Sequence, residues 1–530
     1  MKRCPKCRRD YNDDSLSFCL DDGSELLFGP ASPNSIADEP ATVILHDGVG
    51  SSEPRTQILD SSAVKEPLSS DAQNAPSIAV LPFVNMSADG ENEYFCDGLA
   101  EEMLNALTKI NGLKVAARTS AFAFKGKNTD ISEIAEKLGV KTILEGSVRK
   151  SADRVRISAQ LINAADGYHL WSERYDRELK DIFDVQDEIA VAVVDALKIK
   201  LLGEEKAALL KRHTQSPEAH EFYLRGLSHF AKWTPADFHK AIENFGKAIA
   251  IDPEYASAYA GVADSYTELS FFSFSPINAT ALAKDAAARA LQLDPDLAEA
   301  HNSDALIKLY FDWDYPAAEA AFKKAIALNP GSAIVRMWYG WYLGLMARFD
   351  ESLRELRRAH ELDPLSPPNN NAIGVVLLWS GQTDVAIEQF KDVLELVPGY
   401  PVSNTFLAEA YAAKGDMASA IATIESTPPE AMDPQALGTM GYVYARSGNR
   451  DKAQKILDEF AERSSGEYIP ALNFAQIYSG LDARDQAFEC IVKACEEGAI
   501  WIPFLKVDLK FDHLRSDPRF KEMLQLAGFC

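Results

Sequence analysis

Two hydrophobic rhythms divide this chain. From residue 216 onward apolar positions recur at helical spacing, and one helix-ending phrase keeps returning. It reads AIAIDP up to Pro253, ALQLDP up to Pro295, AIALNP up to Pro330, AHELDP up to Pro364 and VLELVP up to Pro398. These prolines are 42, 35, 34 and 34 residues apart. A 34-residue period closed by proline predicts paired helices stacked into a solenoid. Helices that cross tightly need small residues where the backbones approach and large ones to fill the gaps. Tyr339, Gly340 and Leu343, then Ile373, Gly374 and Leu377, suit first helices; Ala359, Ala386 and Phe390 suit second helices. The pattern runs over 216–495 and counts to about eight repeats. The 42-residue interval predicts an insertion near SFFSFSPINA that lengthens a turn between helices.

Between 76 and 205 the rhythm changes. SIAVLPF has the pattern of a buried strand. EYFCDGLAEEMLNALTKI follows with Leu99, Met103, Leu104 and Leu107 on one helical face. LKVAAR predicts a second strand, and DISEIAEKLGV a second helix ended by Gly139. The segment from TILEGS to YDREL alternates, predicting strands with turns at Ser151–Asp153 and Ala165–Gly167. DIFDVQDEIAVAVVDALKIKLL closes the region with a long amphipathic helix. The order β-α-β-α-β-β-β-α predicts one sheet with helices packed on it. Asp97 is expected to cap the first helix. Cys96 beside it is expected to be buried and inert.

The first 75 residues follow neither rhythm. Residues 27–75 are rich in Ser, Pro, Asp and Gly and predict a flexible linker. Residues 1–26 contain Cys4 and Cys7, then Cys19 and Asp22, in the spacing C-x2-C-x11-C-x2-D. Two such knuckles grip opposite faces of a tetrahedral zinc ion, and a carboxylate is an acceptable fourth ligand. A segment this short buries too little apolar surface to fold alone, so a bound zinc would be structural. The stretch resembles the short zinc ribbons that open many bacterial regulatory proteins.

Two further resemblances rest on the motifs quoted above. The 34-residue units over 216–495 resemble the tetratricopeptide repeat family. SIAVLPFVNMS, EYFCDGLAEEMLNAL, ILEGSVRK, VRISAQLINAADGYHLWSERYDR and DIFDVQDEIA resemble the TolB amino-terminal-like domain. The second resemblance implies an accessory domain that accompanies repeat arrays in bacterial cyclases, winged-helix regulators and kinases. The fold expected is therefore multidomain: an α/β sheet-plus-helices domain and an all-α solenoid, preceded by a small zinc-ribbon-like segment. Residues 496–530 leave the period and are expected to cap the open hydrophobic end of the stack.

Composition narrows the function. Of 530 residues, 47% are hydrophobic and the formal net charge is −25. That balance argues against a chain-wide nucleic-acid surface, which needs clustered Lys and Arg. No run of about 18 apolar residues predicts a membrane helix. The seven cysteines do not form a disulfide pattern, which points to a reducing cytoplasm. Neither a phosphate loop nor a nucleophile triad stands out, so the chain is expected to be non-enzymatic. First helices of such repeats line a concave groove. Met337, Trp341, Leu345, Asn371, Trp379, Glu409, Tyr442 and Arg446 are the candidate partner-binding positions there. The expected role is a protein-interaction scaffold or sensor-adaptor in bacterial signalling. The alternative is a regulatory subunit acting in trans on a cyclase, kinase or transcription regulator, with ligand or nucleotide sensing in 76–205.

Overall fold

The computed structural model describes residues 75–529, except 88–91, 152–153, 179–180, 202–205, 207–208 and 273–275, together with three two-residue strands nearer the N-terminus. Those strands belong to a separate unit, Met1–Pro67. There β1 (Lys2–Arg3) pairs antiparallel with β2 (Asp10–Tyr11) and β3 (Leu27–Phe28). Cys4, Cys7, Cys19, Asp22 and nearly all of the 27–75 linker lie outside the described residues.

The second unit begins with a mixed sheet ordered β6-β4-β7-β8-β9. Its strands are β4 (Ser77–Val80), β6 (Lys114–Val115), β7 (Thr142–Ser151), β8 (Arg154–Asn163) and β9 (His169–Glu178). A short β5 (Val84–Asn85) pairs with the far end of β7. β4 runs parallel to both neighbours, while β7, β8 and β9 form an antiparallel meander. All four residues of β4 are buried, because helices cover both faces of the sheet. Its side chains alternate accordingly. Ile78 and Val80 join Leu99, Met103 and Val193 of α1 (Glu93–Thr108) and α4 (Ile182–Ala196). Ala79 and Leu81 join Ile134 and Leu138 of α3 (Ile131–Leu138) on the other side. Asp130 caps α3 by accepting from the Ser132 N–H, and Gly139 ends it with φ 60°.

Two expectations for this domain are corrected. Asp97 does not cap α1, which already starts at Glu93; it lies inside the helix and pairs with Lys125 Nζ at 2.6 Å. LKVAAR contributes only Lys114 and Val115 to the sheet. The chain then turns into α2 (Arg118–Phe122), because the Ala117 N–H donates to the Leu362 carbonyl of the array rather than to a strand.

The array consists of eight helix pairs. These are α5 (Pro217–Phe230) with α6 (Pro235–Ile251), α7 (Ala256–Leu269) with α8 (Pro276–Leu293), α9 (Ala298–Ile307) with α10 (Tyr315–Leu328), and α11 (Ala333–Leu345) with α12 (Phe349–Leu362). Then come α13 (Pro367–Trp379) with α14 (Thr383–Leu396), α15 (Pro401–Lys414) with α16 (Met417–Glu425), α17 (Pro434–Arg446) with α18 (Arg450–Arg463), and α19 (Ala471–Gly480) with α20 (Arg484–Glu496). Each repeat proline stands two residues past a helix end, where it blocks continuation. Ser216, Thr234, Ser366 and Asp433 cap helices whose next residue is Pro. The 42-residue interval comes from a longer turn and from α8 itself, which has 18 residues where α10, α12 and α14 have 14.

The sheet domain and the array share one core. Leu224 of α5 is buried within the sheet domain's cluster, and a Cβ on Gly98 of α1 would lie 2.6 Å from it. Ser120 donates through its amide and hydroxyl to the Asp363 carboxylate, and its hydroxyl accepts from the Leu365 N–H.

Inside the array, glycine sets how closely the two helices of a pair approach. A Cβ at Gly374 would stand 2.6 Å from the ring of Phe390, which is completely buried. Gly374→Val is expected to destabilise the protein by about 1–3 kcal/mol through overpacking. Gly246→Ala, where nothing lies within 4 Å, is expected to be neutral or to stabilise by about 0.5–1 kcal/mol. Urea unfolding of both variants checks the contrast.

Candidate functional site

The face built from the first helices is occupied by the chain's own tail. After α20 the backbone forms two 3-10 segments, Ile502–Lys506 and Leu509–Leu514, and ends in α21 (Pro518–Leu526). Phe504 packs against Trp341 and Trp379, with ring centroids 5.8 Å away in each case. The two tryptophans are themselves 5.2 Å apart. Trp501 packs edge-on against Phe271, which follows α7. Farther along, Phe529 stacks on Tyr315 at 4.5 Å, and the Tyr315 hydroxyl donates to the Ala527 carbonyl at 2.6 Å. The tail therefore touches helix pairs spread along most of the array. It does more than the expected end cap.

Polar contacts fix its register. Lys510 is 3% exposed. Its ammonium contacts the Glu409 carboxylate of α15 and lies 3.3 Å from Asp508. Burial opposes the lysine charge, but Asp508 and Glu409 outweigh it and hold the Lys510 pKa above the ordinary value. Glu409 also accepts from the Thr439 hydroxyl of α17 at 2.9 Å, and the Ser479 hydroxyl of α19 donates to the Lys510 carbonyl.

The eight candidate groove residues are placed by this arrangement. Met337, Leu345, Asn371, Trp379 and Glu409 are buried, Trp341 and Tyr442 are half-buried, and Arg446 is exposed. Asn371 accepts from the Ser403 hydroxyl at 2.8 Å. These positions were expected to line an open groove. Most are instead interior: Phe504 packs on Trp341 and Trp379, Lys510 pairs with Glu409, and Met337 and Leu345 belong to the array's core. The structure does bring Trp341 and Trp379 together, around a residue that periodicity did not single out, Phe504. The available signal was the tail's density of large apolar residues: Trp501, Ile502, Phe504, Leu505, Phe511 and Leu514.

Other chemical candidates resolve into structure. Burial pushes the Cys96 thiol up to about 12, the reverse of an activated nucleophile. Arg154 and Arg156 both pair with Asp176, each at 2.6 Å. His169 lies exposed on β9. Among the described residues, no group of three or more His, Cys, Asp or Glu is placed to hold a metal, and no helix is long and apolar enough to cross a membrane.

Fold and site together define a helical-repeat solenoid fused to a sheet domain. Residues 377–440 match the tetratricopeptide repeat family. Residues 73–192 match the family described as HilA/YgeH-like transcriptional regulator, second domain. A curated relative named "Putative adenylate cyclase 3", from Rhizobium meliloti (strain 1021), is 45% identical over 187 residues, covering 35% of this chain and 32% of the relative. Transcriptional regulator HilA of Salmonella typhimurium is 28% identical over 158 residues, covering 30% of this chain and 28% of HilA. The chain thus matches about a third of the length of these relatives. Among solved structures, Pseudomonas aeruginosa pilF aligns with 21% identity and a TM-score of 0.30, over 39% of this chain and 94% of that one. Yeast Tom70 aligns with 17% identity and a TM-score of 0.38, over 66% and 82%.

The Glu409–Lys510 pair yields a sharp expectation. Lys510→Met alone strands a buried carboxylate and is expected to cost about 3–5 kcal/mol. Adding Glu409→Leu is expected to recover much of that loss. Urea unfolding of the two single variants and the double variant measures the coupling; simple additivity would show that the pair does not hold the tail.

Proposed function

We propose that the chain is a non-enzymatic protein-interaction scaffold, or sensor-adaptor, in bacterial regulation, and that it works in the cytoplasm with its effector on a separate chain. The observation that carries this reading is the continuous seam between sheet domain and array. Ser120, Asp363 and Leu224 join the two modules into one platform. The sheet domain is, on this reading, an accessory module of the TolB amino-terminal-like kind. The matches to a transcriptional regulator's second domain and to a protein named as a cyclase support a place in signalling. They also support the variant reading of a trans-acting regulatory subunit. Because the tail packs on Trp341, Trp379 and Glu409 of the predicted groove, partner contact is assigned to surface that stays open, where Arg446 lies.

Crosslinked affinity capture with the full-length chain is expected to recover a kinase, cyclase or transcription regulator from the same cell. Incubation with ATP and a divalent cation is expected to yield no cyclic AMP. Cyclic AMP above the blank would end the non-enzymatic reading, and repeated capture without a partner would count against the scaffold.

We further infer that Cys4, Cys7, Cys19 and Asp22 hold a structural zinc ion. Elemental analysis is expected to find about one zinc per chain, lost in a Cys4→Ser/Cys7→Ser variant. Wild-type protein that stays zinc-free after growth in added zinc would refute this.

A further inference from the structure

A cavity of about 90 Å³ lies at the seam between sheet domain and array. Its walls come from α1 and α4 on one side and from α5, α7 and α9 on the other, with the segment that contains His213 between them. Its size is informative. One water needs about 10–15 Å³ on this measure, so the space holds roughly six to nine water-sized positions. Sites for drug-sized ligands occupy about 300–1,000 Å³. A nucleotide is too large, and a small metabolite fits.

The charges around the cavity differ in how they are used. Lys211 is paired with Asp294 at 2.7 Å, and Arg212 with Asp184 and Asp187 at 2.6 Å each. Lys109, just past the end of α1, and Glu299, in the first turn of α9, are in a different position. Neither side chain forms a hydrogen bond or ion pair with a described residue, and both line the cavity. His213 senses both. Burial lowers its pKa, Lys109 lowers it further, and Glu299 and Glu102 act in the opposite direction.

A third group points into the same space. His220 is 3% exposed and lines the cavity. Its Nε2 lies 3.3 Å from a Glu102 carboxylate oxygen, yet is out of line for a hydrogen bond. Tyr223 and Tyr255 add aromatic wall. A simple anion would leave Glu299 unanswered, and a simple cation would leave Lys109 unanswered. Partly buried charges favour partners of opposite sign. One ligand that carries both charges satisfies both.

We propose that the seam cavity binds a small zwitterion of the α-amino-acid class, its carboxylate on Lys109 and its ammonium on Glu299. The ligand touches the sheet domain and the array at once. Its binding therefore favours the docked arrangement of the two modules. The proposal goes beyond the scaffold reading and does not depend on it, because ligand binding is measured whether or not a protein partner is found.

The test is isothermal titration calorimetry on the full-length chain. The probes are free α-amino acids of about five to nine non-hydrogen atoms, the matched carboxylic acids without the amine, the matched amines without the carboxylate, and cyclic AMP. At least one amino acid is expected to bind, and its single-charge analogues to bind about tenfold or more weakly. Lys109→Gln and Glu299→Gln are each expected to weaken binding by about tenfold or more, with the urea midpoint unchanged. Lys109→Gln is expected to weaken the carboxylic acid and spare the amine, and Glu299→Gln the reverse. This split separates ligand contact from a general effect on the seam. The proposal is overturned if no amino acid binds below about 1 mM, or if a single-charge analogue binds as tightly as the zwitterion. It is equally overturned if both variants bind as wild type, or if cyclic AMP displaces the amino acid.

Discussion

The inward faces of the first helices depend on the tail for cover. Trp341 and Trp379 meet across adjacent repeats and would stand in water if nothing lay over them. Phe504 supplies the cover, and Ile502, Leu505, Phe511 and Leu514 are buried beside it. At about 1.5–3 kcal/mol for each fully buried side chain, these five amount to something on the order of 10 kcal/mol. A peptide bound with micromolar affinity gains about 8 kcal/mol. Displacing the tail would thus cost as much as an ordinary peptide partner provides. The face that repeat arrays offer to partners is, in this chain, part of the core.

The seam places a second constraint on the molecule. Asp363 ends one repeat, and Ser120 lies in the short helix α2 of the sheet domain. Burial raises the Asp363 pKa, while the Ser120 hydroxyl and amide pull it down again. The net shift is upward, so this carboxyl carries an electrostatic cost that its hydrogen bonds only partly offset. Such a contact persists because its surroundings hold it in place. Here they include Leu365 against the sheet domain's second cluster and Leu224 within its first. Sheet domain and array are joined through hydrophobic core as well as through polar contacts.

Much of this architecture is legible in the sequence, and the losses have physical reasons. Prolines 253, 295, 330, 364 and 398 and the small residues at helix crossings locate the array, because both act within one repeat. The apolar run SIAVLPF is likewise local; the structure then sorts Ile78 and Val80 to one cluster and Ala79 and Leu81 to the other. Asp97 departs from the capping expectation because, in sequence, a capping residue and a residue one turn inside the helix look alike until the start of the helix is known. α2 was missed because its first hydrogen bond goes to Leu362, well over 200 residues away. The covered groove was missed for a related reason. Periodicity states which face of a helix is apolar, and it is silent on which distant segment packs there. Trp341, Glu409 and the other candidate positions do lie on first helices. Beyond Trp341, Trp379 and Glu409 lie Phe504 and Lys510 of the tail rather than solvent.

With the inner face filled, recognition has to use surfaces that the fold leaves incompletely paired. The seam is such a place. Elsewhere, cations and anions of the two modules meet in pairs such as Lys125 with Asp97 and Arg336 with Glu355. At the cavity, Lys109 and Glu299 form no hydrogen bond or ion pair with a described residue, although Lys109 favours the Glu102 carboxylate from a distance, while their neighbours Lys211 and Arg212 are paired. On the proposal above, Lys109 and Glu299 are the pair of opposite charges that a ligand in the cavity between the two modules would recognise. A ligand held by both modules reports on their contact in a way that a ligand held by one of them does not.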